Sequence, residues 1–338
     1  MINDRIKKSI NFLLTFDKDD LSSIILSELP LISIVNESSI TKSLKDVSNK
    51  KLDEKIIQIE DQSLSQTETK EEINENLKPI KIFDLSQKRF LKNKDSFQVY
   101  IENETQKKID INELLNSNMF LDLKNEGPKI LILHTCSTEA FQENECDFYD
   151  KSKNDYENDD DKNVIKIGQE MERKLNENGV KTLHDKTHHD QNENFENRYL
   201  SSLKTIEKYK EKFPTIQIVF DIHRDCLIYK DDINIKLITE INGEKCSQCM
   251  FVVGTDEGGL NHSNWKNNLI FASKLQRIIE EKYPGLMRPI SLKKERLNGH
   301  ASDLCLIVEI GTSANTLNES VKSGLYICEC ILKFLKDL

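Results

Sequence analysis

No apolar run in this 338-residue chain reaches the roughly 18–20 residues that cross a bilayer. The opening "MINDRIKKSINFLLTFDKDD" is basic with only a short apolar stretch, and "SSIILSELPLISIV" is broken by Glu28 and Pro30. A clustered Lys/Arg face is also missing. The net charge is −10, and residues 51–76 alone carry three Lys against eight acids. Binding to a phosphate backbone draws on counterion release by a cationic footprint, so no nucleic-acid partner is expected. The eight cysteines, at 136, 146, 226, 246, 249, 305, 328 and 330, form no regular framework. A chain of this length buries an adequate core without stapling, and reduced thiols are expected. No internal repeat is present.

What the chain does contain changes character along its length. Residues 1–35 form an N-terminal segment without a visible membrane anchor. Residues 36–95, rich in Ser, Lys, Glu, Asn and Gln, read as a polar linker that buries too little to offset its ordering entropy. Residues 96–127 form a small lead-in, in which "FQVYIENET" alternates like a strand and "DINELL" resembles a capped helical turn. From 128 to 338 the pattern is that of an α/β domain: a mostly parallel twisted sheet flanked by helices, with a β-hairpin insertion.

The strand "KILIL" is followed by an acidic loop and then by Val164, Gly168, Met171 and Leu175 at helical spacing, with Gly179 as the stop. "VKTLHD" reads as a second strand, residues 194–212 as a helix, and "TIQIVFDIH" as a third strand, nearly continuous in apolar residues as a sheet covered on both faces requires. Asn242-Gly243 predicts a hairpin turn. A helix marked by Trp265, Leu269, Ala272, Leu275 and Ile279 stops at "YPG", "LCLIVEIG" is a last buried strand, and Thr316 with Glu319 forms a capping box for the terminal helix.

In open α/β sheets ligands bind outside the carboxyl ends of the strands. Three strands here end in side chains of chemical interest. The first delivers His134 with Glu139 five residues on, the third delivers His223 in "DIHRD", and the last delivers Glu309 in "IVEIG". Two imidazoles and a carboxylate are the ligand set of a catalytic zinc site, and a further carboxylate off the metal would be its general base. Each residue also has a plainer reading. A histidine at a strand end is commonly a hydrogen-bonded loop residue, whereas an acid inside "LCLIVEI" costs several kcal/mol unless it meets a cation or a cleft. Asp221 either orients His223 through its second nitrogen or caps a loop, and Arg224 either grips a substrate carboxylate or pairs with Asp225. "THHD", with His188 and His189, lines the cleft or forms an exposed loop.

Other metal readings are poorer. The acidic loop lacks the ordered alternation and closing Glu of a calcium site. Cys246 and Cys249 point to opposite faces of a regular strand, and no second pair follows. Cys136 is no phosphatase nucleophile, because the Arg such a loop needs six residues on is Gln142.

The runs "LILHTCSTEAF", "NVIKIGQEMERKLNENGVKTLHDKTHHD", "IVFDIHRD", "MFVVGTDEGGLNHSNWKNNLIFASKL", "YPGLMRPI" and "LIVEIGTSANTLNES" resemble the stage II sporulation protein P family in order and spacing, over about residues 97–338. The resemblance implies a zinc-dependent peptidoglycan hydrolase of amidase/phosphorylase-hydrolase-like fold. Its expected reaction cleaves the amide between N-acetylmuramic acid and L-alanine, with a peptide cross-link or strand-cleaving activity in addition. It further implies His134, Glu139 and His223 as Zn2+ ligands and Glu309 as acid/base; His189, Arg224 and Asn315 are the candidates for holding glycan or stem peptide. The implied partners are peptidoglycan and the lytic transglycosylase of the engulfment complex (SpoIID-like). Membrane association and an extracytoplasmic location during sporulation follow from the family, whose anchor is not visible here. The chain departs from the family where His-Thr-His becomes His134-Thr135-Cys136, where His-Pro-Asn-Trp becomes His262-Ser263-Asn264-Trp265, and at residues 298–303. Two alternatives stand beside this reading: a wall-binding relative impaired by the Cys136 change, and, because no export signal is visible, a cytosolic metallopeptidase of similar fold.

Overall fold

The computed structural model describes residues 24–26, 76–87, 99–153, 155–191, 197–230 and 233–338. Contacts divide the chain into two units, Met1–Glu75 with Ile228–Asp232, and Asn76–Leu227 with Ile233–Leu338. In the first, the segment Ile24–Leu26 is a strand. The expectation for the rest of residues 1–75 lies outside the described residues. Every residue discussed below belongs to the second unit.

That unit is built on a seven-stranded sheet. Its strands are β2 (Ile101–Asn103), β3 (Ile130–Leu133), β5 (Thr182–His184), β6 (Ile218–Asp225), β9 (Cys249–Val253), β10 (Ile290–Leu292) and β11 (Leu304–Thr312), in the order β2-β10-β9-β11-β6-β3-β5. All neighbours are parallel except β9 and β11, so two parallel blocks meet at one antiparallel seam. The expected mostly parallel sheet is present.

Both faces are covered, which explains why the strands read as unbroken apolar runs. On one face Ile130, Ile132, Phe220, Ile222, Leu306 and Val308 pack with residues of α2 (Val164–Glu177), α4 (Trp265–Lys282) and α5 (Leu317–Asp337). On the other, Leu131, Leu133, Val219 and Cys305 pack with Ile206 of α3 (Arg198–Lys212). Period-two alternation therefore sorts each strand's residues between two cores rather than between core and solvent. The helices begin as their sequences specify. Asp110 caps α1 (Ile111–Asn116), the Asn163 side chain accepts from the Ile165 N–H, and Thr316 with Glu319 closes the capping box of α5.

The hairpin at Asn242-Gly243 joins β7 (Ile233–Ile241) to β8 (Glu244–Ser247). It belongs to a second sheet, in which β7 also pairs in parallel with β1 (Leu77–Phe83), itself antiparallel to β4 (Phe148–Asp150). Residues 77–83 were expected inside the polar linker of 36–95. They form a strand by pairing in parallel with β7, Ile80 opposite Asn234 and Phe83 opposite Leu237, a long-range partner invisible in the local sequence. After Ser247 the chain leaves this sheet and Cys249 starts β9, so the C-x-x-C is divided between two sheets.

One irregularity lies beside the site. Glu309 pairs with His223 and Thr312 with Asp225, so β11 carries one residue more than β6 over this interval. Gly311 takes up the excess with φ +76°, and a Cβ there would come within 2.5 Å of Ser320 Oγ.

Candidate functional site

The phase of the strands decides which side chains meet. Parallel register aligns Leu133 with Asp221, and Glu309 with His223. Asp221, His223 and Glu309 share the parity of Val219 and Cys305 and so occupy the α3 face. His134 continues the phase of Ile130 and Ile132 toward α2.

On the α3 face, ligand atoms of Cys136, Glu139 and His223 all lie within 4.8 Å of one another, and all three residues are buried. His223 Nδ1 is 3.4 Å from Glu139 Oε2, and its Nε2 is 3.0 Å from Asp221 Oδ1, an ion-pair approach off the line of an aligned hydrogen bond. Burial alone would lower the His223 pKa, but Asp221, Glu139 and Cys136 outweigh it and hold it well above the ordinary histidine value. Asp221 stays below its usual range: burial raises it, while His223 and the Thr135 hydroxyl and amide lower it further. Burial, aided by Glu139, pushes the Cys136 thiol up to about 11.

The three residues fit a divalent ion. Glu139 Oε1 is buried without a hydrogen-bond partner, an arrangement that costs free energy unless a cation or proton satisfies it. A thiolate, a carboxylate and an imidazole are all zinc ligands, and Asp221 behind the imidazole is the usual orienting carboxylate. Among the described residues no other trio of His, Cys, Asp or Glu brings its ligand atoms so close, the acidic loop included. There His188 Nε2 instead meets Asp160 at 2.8 Å.

The structure does not bring His134 into this cluster. Its Nδ1 lies 2.9 Å from the Ile222 carbonyl and its Nε2 lies 2.7 Å from His184 Nε2. Gly168 of α2 closes over the pair so tightly that a Cβ would sit 2.6 Å from one Nε2 and 2.7 Å from the other. Burial lowers the His134 pKa to about 4, so the ring is neutral. Cys136, two residues on, holds the place expected of His134.

Glu309, expected as the acid/base, lies at the register position of His223 on the neighbouring strand. It is 3% exposed, its Oε2 has no partner, and burial together with Asp225 pushes its carboxyl up to about 8. Asp225 is itself paired with Arg288 at 2.8 Å.

The three residues expected to hold substrate are engaged elsewhere. The Arg224 guanidinium donates to the carbonyls of Ala140 (2.7 Å) and Asp155 (2.8 Å), and its backbone N–H donates to Glu139 Oε2 (3.0 Å). It ties down the loop after the cluster. His189 bridges the His134 carbonyl and Thr205 Oγ1, and Asn315 bonds the backbone of Leu237 and Thr312 and the carboxylate of Glu319. Sequence reasoning missed Asp190, which accepts from Ser137 Oγ (2.6 Å) and Thr138 Oγ1 (2.7 Å), and Thr135, whose amide and hydroxyl both donate to Asp221. "HTCST" followed by a distant "HHD" carries a signal for the first, since small hydroxyl residues in a loop need buried acceptors.

Fold and site together define an α/β protein with an enclosed cluster of metal-ligating side-chain types at the carboxyl ends of its parallel strands. The chain belongs to the stage II sporulation protein P (SpoIIP) family, which matches residues 19–332. Stage II sporulation protein P of Bacillus subtilis (strain 168) is 28% identical over 131 residues, 37% of this chain and 30% of that protein. The chain thus matches under a third of that relative's length. Among solved structures, the CwlD amidase of Clostridioides difficile, in complex with the GerS lipoprotein, is similar at 12% identity and TM-score 0.39, covering 62% of this chain and 100% of that one. The N-acetylmuramoyl-L-alanine amidase AmiC2 of Nostoc punctiforme is similar at 12% identity and TM-score 0.35, covering 63% and 99%. Among the described residues no helix is long and apolar enough to cross a membrane.

Proposed function

We propose that this chain is a metal-dependent peptidoglycan hydrolase of spore formation, cleaving the amide between N-acetylmuramic acid and L-alanine. Family membership supports the setting. The observation that carries the chemistry is the buried Cys136, Glu139 and His223 trio with Glu309 at the register position of His223. Cys136, Glu139 and His223 would hold a zinc ion, which would supply Lewis acidity toward water and an amide carbonyl.

The remaining work falls to the chain's own groups. Glu309 Oε2 takes the proton of the attacking water and returns it to the departing L-alanine nitrogen. A carboxyl raised to about 8 exchanges protons close to neutral pH, where a general acid/base acts best. Asp221 orients His223, and Arg224 fixes the loop that carries Glu139. The surrounding sheet excludes bulk water, since none of these side chains is more than a few per cent exposed. A SpoIID-like lytic transglycosylase as working partner and an extracytoplasmic site of action belong to the same reading.

The test is release of stem peptides from purified cell wall by the full chain loaded with zinc. Glu309→Gln should keep zinc and lose release by about 10²- to 10⁴-fold. Wild-type chain that holds zinc and binds wall yet releases nothing would replace the hydrolase with a wall-binding relative.

A further inference from the structure

A buried polar chain reaches the back of His223 from the loop before β11. Asn298, Ser202, Thr135 and Asp221 are each no more than 6% exposed. Asn298 Nδ2 donates to the Tyr199 carbonyl (2.8 Å) and to Ser202 Oγ (2.9 Å). A backbone carbonyl only accepts, so the amide cannot be flipped, and Ser202 must accept from it. Ser202 lies 2.7 Å from Thr135 Oγ1 and 3.2 Å from the Tyr199 carbonyl; a carboxylate only accepts, so Thr135 gives its hydroxyl proton to Asp221, and across the shorter contact Ser202 donates to Thr135. The Thr135 hydroxyl then has one acceptor left, Asp221 Oδ2 at 2.6 Å, while its amide donates to Oδ1 at 2.7 Å. Every donor points the same way, toward the carboxylate whose Oδ1 lies 3.0 Å from His223 Nε2.

We propose that Asn298 and Ser202 are positioning residues that act through Thr135 and Asp221 to keep the His223 proton on Nε2, leaving Nδ1 to face Cys136 and Glu139. The proposal rests on the reading of His223 as a metal-holding residue. It assigns a task to Asn298, in the loop before β11. It also links Ser202 of α3 to the cluster through Thr135 and Asp221.

Zinc affinity of the full chain, measured by competition with a chromophoric chelator, tests it together with imidazole ¹⁵N NMR of the zinc-loaded protein. Thr135→Val should weaken zinc binding about 10- to 100-fold, the usual effect of removing an outer partner of a ligand, and Asn298→Asp by about tenfold. Thr135→Ser, which keeps the donor, should restore affinity to within about threefold, a rescue that loss of bulk alone does not predict. The loaded wild-type ring should carry its proton on Nε2. A proton on Nδ1, or Val and Ser variants at 135 that bind alike, would overturn the proposal. Should Asn298→Asp fail to fold, the Val and Ser pair at 135 decides. Wild-type protein that takes up no zinc would sink the metal reading itself, a result distinct from either.

Discussion

His134 and His223 stand at the ends of adjacent parallel strands, both buried, and their surroundings drive them in opposite directions. His223 lies among Asp221, Glu139 and Cys136, and its charged form is favoured. His134 faces a backbone carbonyl and a second neutral imidazole, and its charged form is suppressed. A residue's position at a strand end says less about its chemistry than the face it takes. One step in phase separates the histidine among carboxylates and a thiol from the one set against His184.

Substitution tests this contrast most sharply. His223→Ala should reduce zinc affinity by more than the roughly 100-fold typical of outer-shell changes, whereas His134→Asn, which keeps a donor for the Ile222 carbonyl, should stay within about tenfold of wild type in the same titration. Equal losses would erase the distinction.

Acidification of the metal-free protein gives the next largest effect. His134 has a folded pKa of about 4 against an unfolded value near 6.5, so the unfolded chain takes up the proton first. The stability this group provides is present above about pH 6.5 and is lost as pH falls toward 4, on the order of 3 kcal/mol. His223, raised when folded, has the opposite sign: its contribution is present below about pH 6.5 and is lost as pH rises. Urea denaturation across pH should show the acid-side loss flattened in His134→Asn and retained in His223→Ala.

The smallest effect comes from the glycine that closes over the neutral pair. Gly168→Ala places a methyl against both imidazoles and should cost about 1–3 kcal/mol by urea denaturation while leaving zinc affinity unchanged. A fall in affinity would mean that the pair and the cluster are coupled.

Much of the fold was legible because helices and turns announce themselves locally. Gly179, Asn242-Gly243 and the Thr316/Glu319 box all sit where the sequence places them. Strand phase was not legible, and the reason is physical. With apolar cores on both faces, "ILIL" shows no alternation of polarity, so nothing in it tells whether the next residue turns toward α2 or α3. Glu309 could be singled out because a buried acid is anomalous in any phase. Arg224, His189 and Asn315 could not be resolved, since their partners are largely backbone carbonyls and amides, which carry no signature in side-chain sequence. The strand Leu77–Phe83 was hidden for a related reason, its partner lying some 150 residues away.

The surplus residue of β11 gives this strand an arithmetic of its own. Removing Gly311 would put Thr312 directly after Ile310 and swing it to the opposite side of the sheet, away from the Ile235 carbonyl and Asn315 that it now engages. Filling position 311 with any larger residue would drive that residue into Ser320 and Ser247. The short path from the acid at 309 to the start of the last helix therefore tolerates neither a shorter nor a bulkier spelling.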